Sequence, residues 1–112
     1  MDAEKKAVDQ FWDKAACGEE LYLRNQQRDG YVEHANRRYQ LEPIIEEFAE
    51  FGTTAGKRVL EIGVGLGADH VRFAQAGAEL AGIDLTMRAV EHTRRRLALF
   101  GVHSAVSIGD AE

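Results

Sequence analysis

A run of spaced glycines and three acidic residues carry most of the chemistry this sequence offers. The run is Glu61-Ile62-Gly63-Val64-Gly65-Leu66-Gly67-Ala68. Glycine admits positive φ and lets a ligand come close to the backbone. A helix starting just after such a loop aims unpaired N–H groups and a positive dipole end at the same point. Asp84 lies 21 positions beyond Gly63. A carboxylate placed there accepts from two neighbouring hydroxyl groups at once. Glu61 stands two positions before the first glycine. It suits an ammonium group and sits badly beside a pyrophosphate. Asp110 follows Gly109, where a plain turn residue is the competing reading. A tight turn without a ligand is the competing reading of the loop, but three alternating glycines cost backbone entropy that such a turn does not require.

These residues need elements to hold them, and the hydrophobic pattern supplies those. Arg58–Ile62 is a short apolar-rich run bounded by glycine, which predicts a buried strand. Ala68–Ala76 is long enough for a short helix, and Gly77 stands where a C′ glycine belongs. Glu79–Asp84 reads as a second strand. Thr86 is an N-cap candidate ahead of Val90, Thr93, Leu97 and Phe100 at helical spacing, with Gly101 as the next C′ residue. Ala105–Ile108 reads as a third strand. The order β-α-β-α-β implies parallel strands with right-handed crossovers. An open parallel sheet of this kind takes ligands at the carboxyl ends of its strands, where the glycine loop lies.

The preceding residues, 1–57, read as a helical head. Val8, Phe11, Trp12 and Ala15 form one amphipathic stripe, and Tyr31, Ala35 and Tyr39 a second. Pro43 restarts the pattern as Leu41, Ile44, Ile45, Phe48 and Phe51, because proline fits the first turn of a new helix better than the inside of an old one.

Two ligand classes satisfy the loop. Gly63-x-Gly65-x-x-Ala68 meets the dinucleotide pattern. Gly63-x-Gly65-x-Gly67 after an acid at Glu61 meets the pattern associated with S-adenosylmethionine (SAM). Asp84 supports adenosine in either case, through the ribose hydroxyls; Glu61 favours the ligand that carries an ammonium group.

At this point the sequence resembles class I SAM-dependent methyltransferases, in particular small-molecule enzymes of the ubiquinone/menaquinone-biosynthesis type. Val59-Leu60-Glu61-Ile62-Gly63-Val64-Gly65-Leu66-Gly67 resembles their first motif, Gly82-Ile83-Asp84-Leu85-Thr86 their second, and Gly109-Asp110-Ala111-Glu112 the segment after their third strand. The resemblance is firm over residues 58–112. It is weaker over the head, whose Phe11-Trp12 to Tyr22 stretch resembles a segment that covers the cofactor in some members. It implies a Rossmann-like α/β fold, strands 3-2-1 of the family order 3-2-1-4-5-7-6, behind N-terminal helices. It also implies roles. Gly63, Gly65 and Gly67 would pass close to the methionyl part of SAM, and Glu61 would reach its amino group. Asp84 would bind the ribose diol and Leu85 would lie on the adenine face, ordinary core packing being the other reading of Leu85. Asp110 would accept from the adenine amino group and the Ala111 N–H would donate to the ring. The family's acceptor site follows its fourth strand, so the chain is expected to be the cofactor-binding half, a truncated product, and no general base is named. A nicotinamide-dependent oxidoreductase fragment and a non-catalytic binding or dimerisation module are the alternatives.

Composition closes off other classes. The chain of 112 residues carries a net charge of −5, which argues against nucleic acid as a partner. No apolar run approaches a membrane span and no signal peptide is seen, so a cytoplasmic location is expected. Cys17 is the one cysteine, which excludes an internal disulfide and any multi-cysteine metal site. His34, His70, His92 and His103 show no metal-ligand spacing and read as surface or half-buried residues, although His70 follows the loop closely enough to approach a cofactor. Arg94-Arg95-Arg96 reads as a basic run paired with a helix C-terminus. With no fourth strand, one edge of Val59–Ile62 lacks a partner, so a homodimer through that edge is expected.

Overall fold

The computed structural model describes residues 23–111. The stripe through Val8, Phe11, Trp12 and Ala15, Cys17 and the covering segment ending at Tyr22 lie outside the described residues. Two helices, α1 (Arg28–Leu41) and α2 (Ile44–Ala49), and a 3-10 turn (Phe51–Thr53) lead into β1 (Arg58–Ile62). Helix α3 (Ala68–Gln75), β2 (Glu79–Asp84), α4 (Met87–Phe100) and β3 (Ala105–Ile108) follow. The strands form one parallel sheet in the order β1-β2-β3. All three strands have the bounds their apolar runs predict, and α3 ends one residue sooner, at Gln75. β1 is not the buried strand expected of its apolar run: none of its residues is buried, because helices cover only one face of it.

Local signals explain the boundaries. Gly77 and Gly101 take positive φ, +91° and +67°, after α3 and α4. Both are C-terminal stops that a Cβ would strain. The Thr86 hydroxyl accepts from the Ala89 N–H at 3.1 Å, capping α4.

Val64, Val71, Val90, Leu97 and Val106 form the buried cluster, with Ala74, Phe100 and Val102 against it. The cluster lies between the sheet and the two crossover helices, α3 and α4. Right-handed crossovers that keep moving in one direction leave both helices on one face. The alternation of β1 follows from this: Val59 and Glu61 are half-buried toward the helices, whereas Leu60 and Ile62 on the opposite face are 59% and 61% exposed. Ile83 of β2 is paired with Ile62 and extends that apolar face.

Helix α1 packs on α4 through buried polar groups. The Tyr31 hydroxyl meets His92 Nδ1 at 2.8 Å, and Arg96 Nη2 donates to the Tyr31 carbonyl at 2.7 Å. This corrects two readings of the sequence. His34, His70 and His92 are buried rather than superficial. The three arginines do not act as a group at a helix end: Arg94 donates to the Val106 carbonyl, Arg95 to the Gln26 carbonyl, and Arg96 is buried inside. Each meets a carbonyl from a different segment, and an isolated helix pattern carries no information about that. The α2 stripe also behaves differently from its pattern. Phe51, in the 3-10 turn, is buried, while Leu41 at the end of α1 and Ile44 and Phe48 of α2 are exposed.

Candidate functional site

The loop between β1 and α3 is held from three sides. Gly63 N–H donates to the Ile83 carbonyl at 2.8 Å, tying the end of β1 to the end of β2. Gly65 N–H donates to Asp84 Oδ2 at 3.0 Å. The Thr93 hydroxyl of α4 donates to the Gly65 carbonyl at 3.1 Å. Gly63, Gly65 and Gly67 all adopt positive φ, at +79°, +56° and +84°. Their surroundings separate them. A Cβ on Gly63 or Gly65 would meet open space, whereas one on Gly67 would lie 2.9 Å from the Thr93 hydroxyl. Gly67 is therefore required by helix packing as well as by its backbone angle; Gly63 and Gly65 leave room on their outer side.

A cavity of about 260 Å³ lies there, lined by His34, Arg38, Glu61 and residues 63–69. Glu61 contributes a half-buried carboxylate, and its Oε1 is 2.9 Å from His70 Nδ1. Burial pushes the Glu61 carboxyl above the usual carboxylate range, and the His70 contact opposes that rise. The opposite wall comes from α1. Arg38 grips Asp69 of α3 with two donors, at 3.1 and 2.8 Å, and the Tyr39 hydroxyl donates to the same carboxylate at 2.8 Å. Burial alone would raise Asp69; the bonds from Arg38 and Tyr39 outweigh it and hold the carboxyl low. Burial and the bond to Asp69 push the Tyr39 phenol up. His34 accepts from Arg96 Nη1 at 3.1 Å, and burial with the cations Arg96 and Arg38 drives its pKa down to about 4.

The residues singled out by the sequence fall into two groups. Glu61, Gly63, Gly65 and Gly67 line the cavity together. Asp84 adjoins it: besides Gly65, its carboxylate accepts from the Thr86 N–H at 3.1 Å, so it braces the loop and the start of α4 at once. Leu85 beside it is half-buried. Asp110 and Ala111 are exposed just past β3, brought near Asp84 because Gly109 N–H donates to the Asp84 carbonyl at 2.9 Å. His70 does not face the cavity; it is wholly buried behind Glu61. His34, Arg38 and Asp69 were missed by the sequence reading. Their one trace is the Tyr31–Tyr39 stripe, which placed α1 in the core without saying that its neighbours would close a wall.

The first of the similar proteins is a demethylmenaquinone methyltransferase of Tropheryma whipplei (strain Twist). It is 41% identical over 49 residues, 44% of this chain and 20% of that protein. A ubiquinone biosynthesis O-methyltransferase of Psychrobacter cryohalolentis is 32% identical over 80 residues, 71% of this chain and 31% of that protein. The chain is thus similar to class I SAM-dependent methyltransferases. It spans between a fifth and a third of the length of these curated relatives. No family model matches it. Among solved structures, magnesium protoporphyrin IX methyltransferase from Synechocystis PCC 6803 with bound SAH shares the class I fold. It has a TM-score of 0.68 and 17% identity over 96% of this chain and 52% of that one. Among the described residues no helix is long and apolar enough to cross a membrane.

Proposed function

We propose that this chain is the cofactor-binding part of a methyltransferase that moves a methyl group from SAM to a small-molecule acceptor. Glu61 carries the reading: a carboxylate lines the cavity beneath the glycine loop. There it would repel a pyrophosphate and accept an ammonium group, which disfavours a nicotinamide dinucleotide. The cavity, at about 260 Å³, falls below the roughly 300–1,000 Å³ of whole small-molecule sites. It fits an amino-acid tail, with the nucleoside lying outward along Asp84, Leu85, Asp110 and Ala111. The open space beyond Gly63 and Gly65 is where that tail would pass.

When bound, SAM supplies a sulfonium-borne methyl group for in-line displacement, a reaction helped mainly by proximity and orientation. The chain's own residues provide the orientation. Glu61 would hold the ammonium end of the tail. The Asp84 carboxylate, already fixed by Gly65 and Thr86, would accept from the ribose hydroxyls with its remaining lone pairs. The names of the relatives support a quinone-type small molecule as acceptor, and the single cysteine supports a cytoplasmic location.

Titration calorimetry with S-adenosylhomocysteine (SAH) and with NAD tests the reading. SAH is expected to bind more tightly, and Asp84→Ala to weaken it at least about tenfold, since charge-assisted bonds are worth about 1.5–3 kcal/mol each. Tighter binding of NAD, or unchanged SAH affinity in a folded Asp84→Ala chain, would overturn the assignment.

A further inference from the structure

His70 is wholly buried, yet both of its ring nitrogens are engaged. Nδ1 lies 2.9 Å from Glu61 Oε1 and Nε2 lies 2.7 Å from Ser104 Oγ. The Ser104 hydroxyl in turn donates to the Leu80 carbonyl at 3.0 Å. A hydroxyl has one proton, and the carbonyl has none to offer in return. The oxygen of Ser104 must therefore accept from His70, so Nε2 bears a proton.

That fixes the other end of the chain. With Nε2 protonated, a neutral imidazole presents a bare Nδ1, and the contact with Glu61 then needs a proton on Oε1. If Glu61 is ionised instead, the proton is on Nδ1 and His70 is an imidazolium. Both arrangements place one proton between the two groups, and both leave the pair with no net charge. The site is built around this ring. A Cβ at Gly82 would lie 2.6 Å from His70 Cε1, so β2 carries glycine where the imidazole enters. The charged groups flanking Glu61 are Asp69, the neighbour of His70 on α3, and Arg38 of α1, which are paired with each other. On the far side His70 Nε2 meets the neutral Ser104 hydroxyl and, through it, the β2 carbonyl.

We propose that His70 is a positioning residue: backed by Ser104 and the Leu80 carbonyl, it aims Glu61 into the cavity and takes up its proton when a ligand ammonium arrives. This rests on the reading of Glu61 as the ammonium acceptor. An ammonium group against Glu61 favours the carboxylate. The proton then moves from Oε1 to Nδ1, the Nε2–H···Ser104 bond is kept, and no proton is exchanged with solvent. Without His70 the half-buried carboxyl loses the contact that opposes its upward shift and has no base beside it to take its proton, which makes it a poorer partner for a cation.

The test compares SAH with 5′-methylthioadenosine, which keeps the nucleoside and lacks the amino-acid tail. The 112-residue chain is expected to bind SAH more tightly. His70→Leu should weaken SAH by about tenfold, the scale of one charge-assisted hydrogen bond, and leave methylthioadenosine unchanged. His70→Asn, whose amide places a donor where Nδ1 stands but cannot take up a proton, should restore the aim of Glu61 alone and recover only part of the SAH affinity. Equal loss of both ligands without rescue by asparagine would show a merely structural role and overturn the proposal. Unaltered SAH binding by His70→Leu would overturn it too. An unaltered chain that binds both ligands equally removes the ammonium reading itself, and this proposal with it. Nitrogen-15 NMR of the unaltered chain needs no variant to fold: it should find the proton of the His70 ring on Nε2. A bare Nε2 would overturn the proton assignment.

Discussion

Arg96 is 2% exposed, and its guanidinium is met by the Leu66 and Tyr31 carbonyls and by His34; among the described residues no carboxylate pairs with it and its Nε has no hydrogen-bond partner. Burial lowers its pKa to about 10, which still leaves it charged at neutral pH. An arginine only donates, so His34 Nδ1 must accept, and His34 is neutral in the fold. Its pKa therefore falls from 6.5 to about 4 on folding, through burial first and then the cations Arg96 and Arg38. Below its ordinary pKa the unfolded chain takes up a proton at this position that the folded chain refuses. Stability is thus fully present above pH 6.5 and is lost as pH falls toward 4, by about 3 kcal/mol in all. Glu61 acts in the opposite sense, because its folded pKa is raised and its contribution weakens as pH rises through that window. His34→Asn keeps an acceptor where Nδ1 stands and does not titrate. Urea unfolding of both chains across this range should give curves that converge toward pH 4, with the unaltered chain the more pH-sensitive. Parallel curves would show that His34 is not the group responsible.

At the scale of elements, the glycine loop separates two costs that look alike in sequence. Gly63 and Gly67 both hold positive φ, but only Gly67 is in contact with another helix. Gly63→Ala should cost about 1 kcal/mol, the conformational penalty alone. Gly67→Ala adds a collision with Thr93, whose hydroxyl, methyl and Cα would lie 2.9, 3.1 and 3.2 Å from the new carbon, and overpacking of this kind costs about 1–3 kcal/mol more. Denaturant melts of the two variants measure the difference, and equal losses would mean that α4 shifts freely away from the loop. Gly67 also marks where reading the sequence stops working. The strand bounds, their parallel direction and the stops and cap of α3 and α4 were legible, because apolar runs, glycine stops and a threonine cap are local signals; the strand order came from the family resemblance. The second reason for Gly67 was not, since Thr93 is 26 positions away. The same distance hid the fates of Arg94, Arg95 and Arg96. A helical period shows that Arg96 shares a face with Thr93 and Leu97, but the carbonyls that make its burial tolerable come from α1 and the loop. Glu61 was legible as an acid before glycine, whereas the His70–Ser104 support behind it needs three separate segments to meet.

The whole molecule is asymmetric: two helices cover one face of the sheet, and the other face exposes Leu60 and Ile62. The two outer strands are also unlike. On β3, Arg94 donates to the Val106 carbonyl at 3.1 Å, placing a charged side chain on that strand's backbone. On β1 the ion pair of Arg58 with Glu79 sits at the first residue, and the remaining residues, Val59-Leu60-Glu61-Ile62, contain neither lysine nor proline. β1 is thus the less protected edge among the described residues, and it borders the exposed apolar face. Such an edge recruits another strand. A twofold pairing of β1 with its copy would be antiparallel and centred on Leu60, the middle of the five-residue strand, giving one six-stranded sheet. It would also place the exposed Leu60 and Ile62 of both chains side by side on one face. The 112-residue chain is therefore expected to form dimers or larger species at micromolar concentration in sedimentation experiments. Leu60→Lys sets two like charges opposite each other at the centre of that pairing and should return the chain to monomer without unfolding it, since the side chain is already exposed. A monomeric unaltered chain with exchange-protected amides along Val59–Ile62 would show that this edge is satisfied within one chain, and self-association through it would have to be abandoned.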